Sequence, residues 1–274
     1  MSGDQTSADF EAVARGVSAS REEPEKARPS ATAIRLEHLS KAFAGRRVLD
    51  DITVDVPEGT AFCLLGRSGT GKSVTLKHII GLLKPDAGRV LVHGTDVSSL
   101  RRRELAAVRK GMGFLFQSAA LFDSITVGEN VAFPMRRHTD WPARQIREVA
   151  QARLAAVGLE RDFDKMPSEL SGGMRKRAGL ARAMALDPDI LLVDEPSAGL
   201  DPITSREIDD LLVTLKQQGT TIVVVTHNIP SARHIGDELA MLHDGRIIAR
   251  GTAAELDRSD HPLVRAFMQS EGAG

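Results

Sequence analysis

One stretch, Gly-Arg-Ser-Gly-Thr-Gly-Lys-Ser at positions 66–73, most constrains what this chain can fold into. The preceding residues 61–65 are apolar and predict a short buried strand, whereas residues 74–80 carry apolar side chains at helical spacing. Glycines let the backbone bend so that its N–H groups point at an anion, and a helix N-terminus adds partial positive charge. The spacing fits G-x-x-x-x-G-K-[ST] in the context that this pattern requires. We therefore predict a phosphate-binding loop.

Two side chains at the end of this loop carry the expected chemistry. Lys72 can reach the β- and γ-phosphates of a nucleotide, and the Ser73 hydroxyl can ligate Mg²⁺. ATP and Mg²⁺ are therefore the predicted ligands. The residues predicted to bind the nucleotide here are Gly66, Arg67, Ser68, Gly69, Thr70, Gly71, Lys72 and Ser73.

Two carboxylates follow a second apolar run, residues 190–193. In open parallel sheets, ligands bind at the carboxyl ends of the strands. Asp194 would hold Mg²⁺ there, directly or through water, and Glu195 would polarise an attacking water. The alternative is that the pair merely starts an acidic loop.

Two further polar residues end predicted strands. His227 follows residues 221–226, and Gln117 ends the run at 113–117. His227 could meet the γ-phosphate, and Gln117 could sense the metal or the water. A purely structural role stays equally open for each of them.

The order of the predicted elements indicates the fold class. Strands alternate with helical segments, which is typical of an α/β domain with a parallel sheet. Residues 141–187 are predicted to be mostly helical, because apolar residues recur at near-helical spacing from Ile146 to Leu159, and they suggest a helical insert. Residues 1–31 contain few large apolar side chains, and we expect them to form a mobile tail.

Composition excludes several classes of protein. Net charge is -1, so no basic field predicts a nucleic-acid partner. Cys63 is the one cysteine, so no internal disulfide can form, and we expect a buried thiol in a reducing compartment. No apolar run approaches the roughly 18 residues of a membrane helix, so we expect any membrane role to come through a partner.

Residues 170–174, Leu-Ser-Gly-Gly-Met, make the pattern specific to one family. Together with the loop at 66–73 and the carboxylate pair, they resemble the nucleotide-binding subunit of ATP-binding cassette (ABC) transporters, over about residues 33 to 255. The resemblance implies a P-loop NTPase fold with a RecA-like parallel-sheet core, an antiparallel β subdomain and a helical subdomain at about 118–185. It places the nucleotide-binding domain at 32–257, between the N-terminal tail and a C-terminal tail at 258–274.

The resemblance also implies residue roles. Phe43 would stack on adenine, Gln117 would bind the metal and take part in catalysis, and His227 would act as the switch histidine. Residues 197–201 match the D-loop. The signature residues Ser171, Gly172 and Gly173 would bind the nucleotide of a second copy. The family usually has glutamine where this chain has Met174, so the contact that the glutamine side chain would make is in doubt, whereas Ser171 and the amides of Gly172 and Gly173 remain.

The implied assembly is a head-to-tail dimer with two ATP molecules between the copies, bound to a separate transmembrane permease on the inner, cytoplasmic face of the cell membrane. A substrate-binding subunit and a small regulatory subunit stay open as further partners. Residues 170–205 and 226–252 are most similar to ATPases of Mla- or Mce-type lipid transporters. ATP hydrolysis that powers phospholipid transport is therefore the predicted function, and an ATPase for an amino-acid or other small-solute importer is the alternative.

Other functions fit the sequence less well. Cassette proteins of translation or DNA repair usually carry two cassettes or a long coiled coil, which this chain lacks. A nucleotide switch without hydrolysis is disfavoured because Glu195 is present. For Phe122, Val127, Val131 and Phe133, docking of a membrane subunit and core packing are equally open. Residues 101–103, three arginines, predict a solvated helix start. In the C-terminal tail, Leu263, Val264, Phe267 and Met268 predict the apolar face of a short helix, which we expect to dock on a partner subunit or on the opposite protomer.

Overall fold

A computed structural model describes residues 31–270 of the chain, and these residues form two compact units. One unit is helical and spans residues 118–188, and the other comprises residues 31–117 and 189–270. The predicted N-terminal tail, except for Ala31, lies outside the described residues, as do the last four residues of the C-terminal tail.

The larger unit contains two sheets. Its strands are β1 (Thr32–Phe43), β2 (Arg46–Pro57), β3 (Ala61–Leu65), β4 (Ala87–Val92), β5 (Thr95–Asp96), β6 (Met112–Leu115), β7 (Ile190–Asp194), β8 (Thr221–Thr226), β9 (Glu238–His243) and β10 (Arg246–Gly251). The antiparallel sheet has the order β2-β1-β4-β5. The second sheet has the order β10-β9-β3-β8-β7-β6, in which only the edge strand β10 runs antiparallel.

The helices of the larger unit are α1 (Lys72–Ile79), α2 (Arg102–Lys110), α6 (Pro202–Gln217), α7 (Ile229–Ile235), α8 (Ala253–Asp257) and α9 (Pro262–Gln269). Those of the helical unit are α3 (Val127–His138), α4 (Ala143–Ala156) and α5 (Gly172–Ala183). The three arginines at 101–103 are exposed at the start of α2, as predicted, and Glu104 closes a capping box there.

The apolar patterns of the strands match their surroundings. β3, β7 and β8 are buried at every residue, which explains why their sequences are continuously apolar instead of alternating. β2 alternates because one face of its sheet packs inward: Ile52, Val54 and Val56 belong to the core, and Thr53 between them is exposed. The predicted α/β core and the antiparallel sheet are thus both present.

Two boundaries differ from the sequence predictions. The strand predicted at 113–117 ends at Leu115, so Gln117 lies two residues beyond it. In the insert, the helical spacing of apolar residues continues to Leu159, but the helix α4 already ends at Ala156. There the Leu159 N–H donates to the Leu154 carbonyl oxygen at 2.8 Å, a helix-terminating bond. Leu159 is buried although it lies outside the helix, so an apolar residue at this position fits the helical spacing without being helical.

The structure separates the four apolar residues for which docking of a membrane subunit and core packing were both open. Val127 and Val131 are fully buried on α3, so their role is core packing. Phe122 and Phe133 are 46% and 45% exposed, with ring centroids 4.9 Å apart. The buried Asn130 fixes the loop before α3, because its side chain bonds both the N–H and the carbonyl of Phe122, at 2.7 and 3.0 Å. This loop therefore places Phe122 beside Phe133 of α3, at the surface of the helical unit.

The C-terminal tail contains the expected helix, α9. Val264 and Met268 are buried within the chain, whereas Leu263 is exposed. Two of the four apolar residues predicted to form a docking face are therefore already packed. Docking of this helix on a partner stays a prediction.

A buried carboxylate lies on α6, away from the predicted site residues in sequence. Asp209 is 3% exposed, and its Oδ1 has no hydrogen-bond partner among residues 31–270. Burial raises the pKa of Asp209 to about 6, although a hydrogen bond with Ser231 on α7 opposes the shift. Burial likewise raises the pKa of the Cys63 thiol, to about 12, which makes this thiol inert.

The Asp209 shift predicts how stability depends on pH. Below pH 4 both the folded and the unfolded chain carry a protonated Asp209. Between pH 4 and pH 6 only the unfolded chain loses the proton, so the free energy of unfolding falls by roughly 2–3 kcal/mol and stays lower above pH 6. Asp209→Asn cannot ionise and should not show this loss.

Urea unfolding followed by circular dichroism at pH 4, 5, 6 and 7 measures the effect. The stability difference, variant minus wild type, should grow by roughly 2–3 kcal/mol across this range. A destabilisation by the asparagine that is the same at every pH does not affect this change, because only the variation of the difference with pH is compared. A difference that does not change with pH would show that the folded-state pKa of Asp209 is not raised.

Candidate functional site

The phosphate-type loop starts where β3 ends and closes at the first residue of α1. Gly66 and Gly71 have φ of +155° and +107°, conformations that other residues rarely adopt. A Cβ at Gly66 would lie 2.6 Å from the Leu242 carbonyl oxygen, and one at Gly71 would lie 2.8 Å from the Val48 carbonyl oxygen. Both glycines are therefore needed for backbone shape and for close packing of the loop on its neighbours.

Lys72 is 5% exposed, and its ammonium is held by three oxygens. It donates to the carbonyl oxygens of Gly66 at 2.7 Å and Arg67 at 3.1 Å, and it lies 3.2 Å from Oε1 of Glu195. Two of these partners are carbonyls of the loop itself. A buried cation with neutral partners can exchange them for anionic oxygens of a ligand.

Ser73 and Asp194 join the loop to β7. The Ser73 hydroxyl donates to Asp194 Oδ1 at 2.8 Å. Burial raises the pKa of Asp194, and the Ser73 hydrogen bond opposes that shift. Mg²⁺ prefers oxygen ligands and is usually bound through one or two protein oxygens plus phosphate and water. This pair fits that role because it holds a hydroxyl and a carboxylate oxygen together beside the loop.

Glu195 follows β7 with φ of +47°, a conformation that costs on the order of 1–3 kcal/mol in a non-glycine residue. Its backbone N–H donates to the Val225 carbonyl at 2.9 Å. Its Oε2 lies 2.9 Å from Nδ1 of His227 and 3.3 Å from the backbone nitrogen of the same residue. The strained backbone thus holds one carboxylate between the Lys72 ammonium and the His227 ring.

One cavity of about 610 Å³ unites most of the predicted residues. This volume is in the usual range for a small-molecule or cofactor site. The predicted residues that line it are Phe43, Arg67, Ser68, Gly69, Gly71, Lys72, Ser73, Gln117, Glu195 and His227. Gly66 and Thr70 belong to the same loop, and Asp194 reaches the cavity wall through Ser73.

Four lining residues were missed by the sequence reasoning. They are Val48, Val74, Phe267 and Ser270. Val48 and Val74 are ordinary strand and helix residues, and no sequence signal marks them. Phe267 belongs to the apolar face that was predicted to dock on a partner, and nothing in a linear pattern connects residue 267 with residue 66.

The signature residues belong to the helical unit, whereas all the described lining residues belong to the larger one. Ser171 is the N-cap of α5 and accepts a hydrogen bond from the Met174 backbone nitrogen at 3.2 Å. Ser171 and Gly172 are exposed, and Gly173 is buried. A capped helix start of this kind offers free N–H groups and partial positive charge to an anion.

Within residues 31–270, every helix is too short or too polar to cross a membrane.

Comparison with known proteins agrees with this geometry. The family model described as ABC transporter matches residues 49–198, more than half of the chain. The chain is 44% identical over 247 residues to the "Probable ribonucleotide transport ATP-binding protein mkl" of Mycobacterium leprae, a match covering 90% of this chain and 71% of the relative. It is 40% identical over 245 residues to the intermembrane phospholipid transport system ATP-binding protein MlaF of Escherichia coli K12, covering 89% and 91%.

A solved structure gives the same result for the fold. A dimeric ATP-binding cassette bound to ADP and Pi, in a post-hydrolysis state, superposes with a TM-score of 0.76 at 32% identity, covering 80% of this chain and 98% of the other. The predicted P-loop cassette fold is thereby confirmed. The glycine loop, the carboxylate pair and the signature sequence therefore stand in a member of the ABC transporter family, in which this chain is the subunit that binds and hydrolyses ATP.

Proposed function

We propose that this chain powers phospholipid transport through a separate permease, with the residues of the cavity as its ATPase site. The observation that carries the proposal is the 40% identity to MlaF over 91% of that protein's length. The M. leprae relative carries a different substrate in its name, ribonucleotide, at 44% identity. Ribonucleotide transport is therefore the second candidate, and an amino-acid or small-solute importer is the third.

The triphosphate would bind at the loop with Lys72 as its main cation. In the structure this ammonium bonds two loop carbonyls and one carboxylate. Phosphate oxygens are stronger partners than carbonyls because they carry charge. As Lys72 turns to the β- and γ-phosphates, Glu195 loses an ion pair and its carboxylate becomes available to a water molecule.

Glu195 would then act as the general base. Its Oε1 now faces Lys72 and its Oε2 faces His227, so the carboxylate is held from both sides. It would accept a proton from the water that attacks the γ-phosphorus, while the bond from that phosphorus to the bridging oxygen breaks and ADP leaves. His227 would orient the Glu195 carboxylate. Gln117, which lines the same cavity, is suited to contact this water or the metal.

Mg²⁺ would be held by Ser73 and Asp194, with Gln117 as a further oxygen donor. When bound, the metal neutralises charge on the β- and γ-phosphate oxygens. The 2.8 Å hydrogen bond between Ser73 and Asp194 supports this assignment, because it keeps two oxygen ligands together at the loop. Burial disfavours the charged form of Asp194, which a cation would offset.

A second copy of the chain would complete the site. The capped start of α5 offers an exposed anion-binding end, formed by Ser171, Gly172 and Gly173. In a head-to-tail dimer this end would close on the γ-phosphate held by the other copy's loop. The dimeric state of the solved cassette supports this arrangement.

The permease would contact the Phe122–Phe133 pair. Both rings are nearly half exposed and pack on each other, so the helical unit presents a small apolar surface. The chain would thus lie on the cytoplasmic face of the membrane through its partner. A substrate-binding subunit and a small regulatory subunit would complete the complex.

Replacing Glu195 tests the proposed base. Glu195→Gln keeps the shape of the side chain but cannot accept a proton, so turnover should fall by about 10²–10⁴-fold while ATP affinity is kept. Phosphate release from the purified transporter complex measures turnover. Glu207→Gln on α6, the same change at an exposed position, is the control and should hydrolyse ATP normally. Turnover within a few-fold of wild type in Glu195→Gln would exclude Glu195 as the base.

Ser171→Arg tests the signature. The bulky side chain should block the start of α5 against the second copy, so hydrolysis and ATP-dependent dimerisation should be lost while one chain still binds nucleotide. Ser168→Arg, a nearby exposed serine outside the signature, should leave both unchanged. Loss of nucleotide binding by the Ser171 variant would mean that the signature supports the fold of the chain instead.

Purification from native membranes tests the substrate class. A tagged chain should bring with it a multispanning permease and bound phospholipid, which mass spectrometry identifies. Phe133→Glu should abolish this association without changing ATP affinity, because a charge would be buried in the apolar contact. Leu82→Glu, at an exposed apolar residue of the larger unit, is the control. Recovery of an amino-acid or ribonucleotide permease would overturn the lipid assignment.

A further inference from the structure

The C-terminal helix α9 reaches the nucleotide cavity of its own chain. Phe267, on its last turn, and Ser270, just beyond it, line the same cavity as Phe43 and Lys72. All four residues lie in the larger unit. A tail expected to bind a partner therefore contributes to the wall of the ATP site.

This position of α9 is fixed by buried contacts. Val264 and Met268 are 0% and 3% exposed, so one face of the helix is packed inside the chain. Arg233 of α7 makes two hydrogen bonds to the Asp257 carboxylate, at 2.6 and 2.5 Å, and a third to the Met268 carbonyl at 3.3 Å. The same arginine lowers the pKa of Asp257, so this carboxylate is ionised at neutral pH.

Arg233 also connects α9 with the edge of the sheet that carries the proposed catalytic residues. α7 begins two residues after His227, with Asn228 as its N-cap. Arg233, on the last turn of α7, therefore ties α9 to the segment that carries the switch histidine. The helix that carries Phe267 is therefore anchored at the next residue, Met268, by the bond from Arg233 and by burial of the Met268 side chain.

The lining of the cavity divides by chemistry. Lys72, Ser73 and the loop amides suit phosphate, whereas Phe43, Val48 and Phe267 are apolar. Phe43 and Phe267 are the phenylalanines among the described lining residues, and Phe43 is 42% exposed. A nucleobase has flat apolar faces that stack on aromatic rings. The apolar part of the lining thus fits the base of the nucleotide.

We propose that Phe267 is a second aromatic wall of the nucleobase pocket, so that the C-terminal helix binds ATP in the chain to which it belongs. This rests on the proposed ATP site at the loop. Phe267 supplies stacking area that Phe43 alone cannot, and Ser270 closes the end of the wall, its hydroxyl bonded to the Phe267 carbonyl at 2.6 Å.

Competition binding separates a contact with the base from a contact with the phosphates. The full-length protein is titrated with a fluorescent ATP analogue, which is then displaced by ATP or by inorganic tripolyphosphate at equal free Mg²⁺. Phe267→Ala should weaken the affinity for ATP by about 5- to 150-fold, the range expected for loss of one base–aromatic stack, and should leave the affinity for tripolyphosphate within twofold. Phe267→Trp should restore ATP affinity.

Two control variants make the outcome decisive. Leu263→Ala removes an exposed apolar side chain one turn earlier on α9 and should change neither affinity. Lys72→Ala should weaken ATP and tripolyphosphate alike. If Lys72→Ala changes neither, the proposed phosphate site fails, independently of Phe267. If Phe267→Ala binds ATP within twofold of wild type, or loses ATP and tripolyphosphate equally, the second wall is refuted.

Discussion

The buried Lys72 ammonium is the interaction around which the site is arranged. An ionised amine with 5% exposure is stable only because oxygens surround it, two from the loop backbone and one from Glu195. The loop must therefore curve tightly enough to present its carbonyls, which requires the glycine conformations at 66 and 71. The same arrangement leaves a cation that gains from a polyanionic ligand. In the proposed function, binding of a triphosphate and release of the Glu195 carboxylate would therefore be one electrostatic exchange.

The parallel sheet brings these charges together. In register, Leu65 of β3 lies beside Thr226 of β8, and Asp194 of β7 lies beside Val225. The loop, the carboxylate pair and the histidine each lie where one of these strands ends, so all three lie at one edge of the sheet. More than 100 positions of sequence separate the loop from the carboxylate pair. The strands can be this apolar because both faces of the sheet are buried, which leaves polar chemistry only at the strand ends.

The two helix starts that we propose to bind anions lie in different units of the chain. The glycine loop belongs to the unit with the sheets and the signature to the helical unit, and each is a helix start with free N–H groups. The cavity at the glycine loop is lined by Lys72, Ser73 and Glu195, side chains that are suited to bind phosphate, to ligate a metal and to accept a proton. Within the described part of the chain, the signature offers the Ser171 hydroxyl and backbone amides. This asymmetry suits a second contact that stabilises charge without supplying chemistry.

The sequence by itself determined the α/β class, the phosphate-type loop and the carboxylate pair, because each depends on local spacing: apolar runs for strands, glycines for a tight turn, polar residues at strand ends. The signature sequence added the family. Only the tertiary structure decided that Val127 and Val131 are core while Phe122 and Phe133 are exposed, since one apolar pattern serves both roles. Only the structure shows that β6 ends at Leu115 and that Phe267 lines the cavity. Those outcomes depend on packing between segments distant in sequence, which no local pattern records.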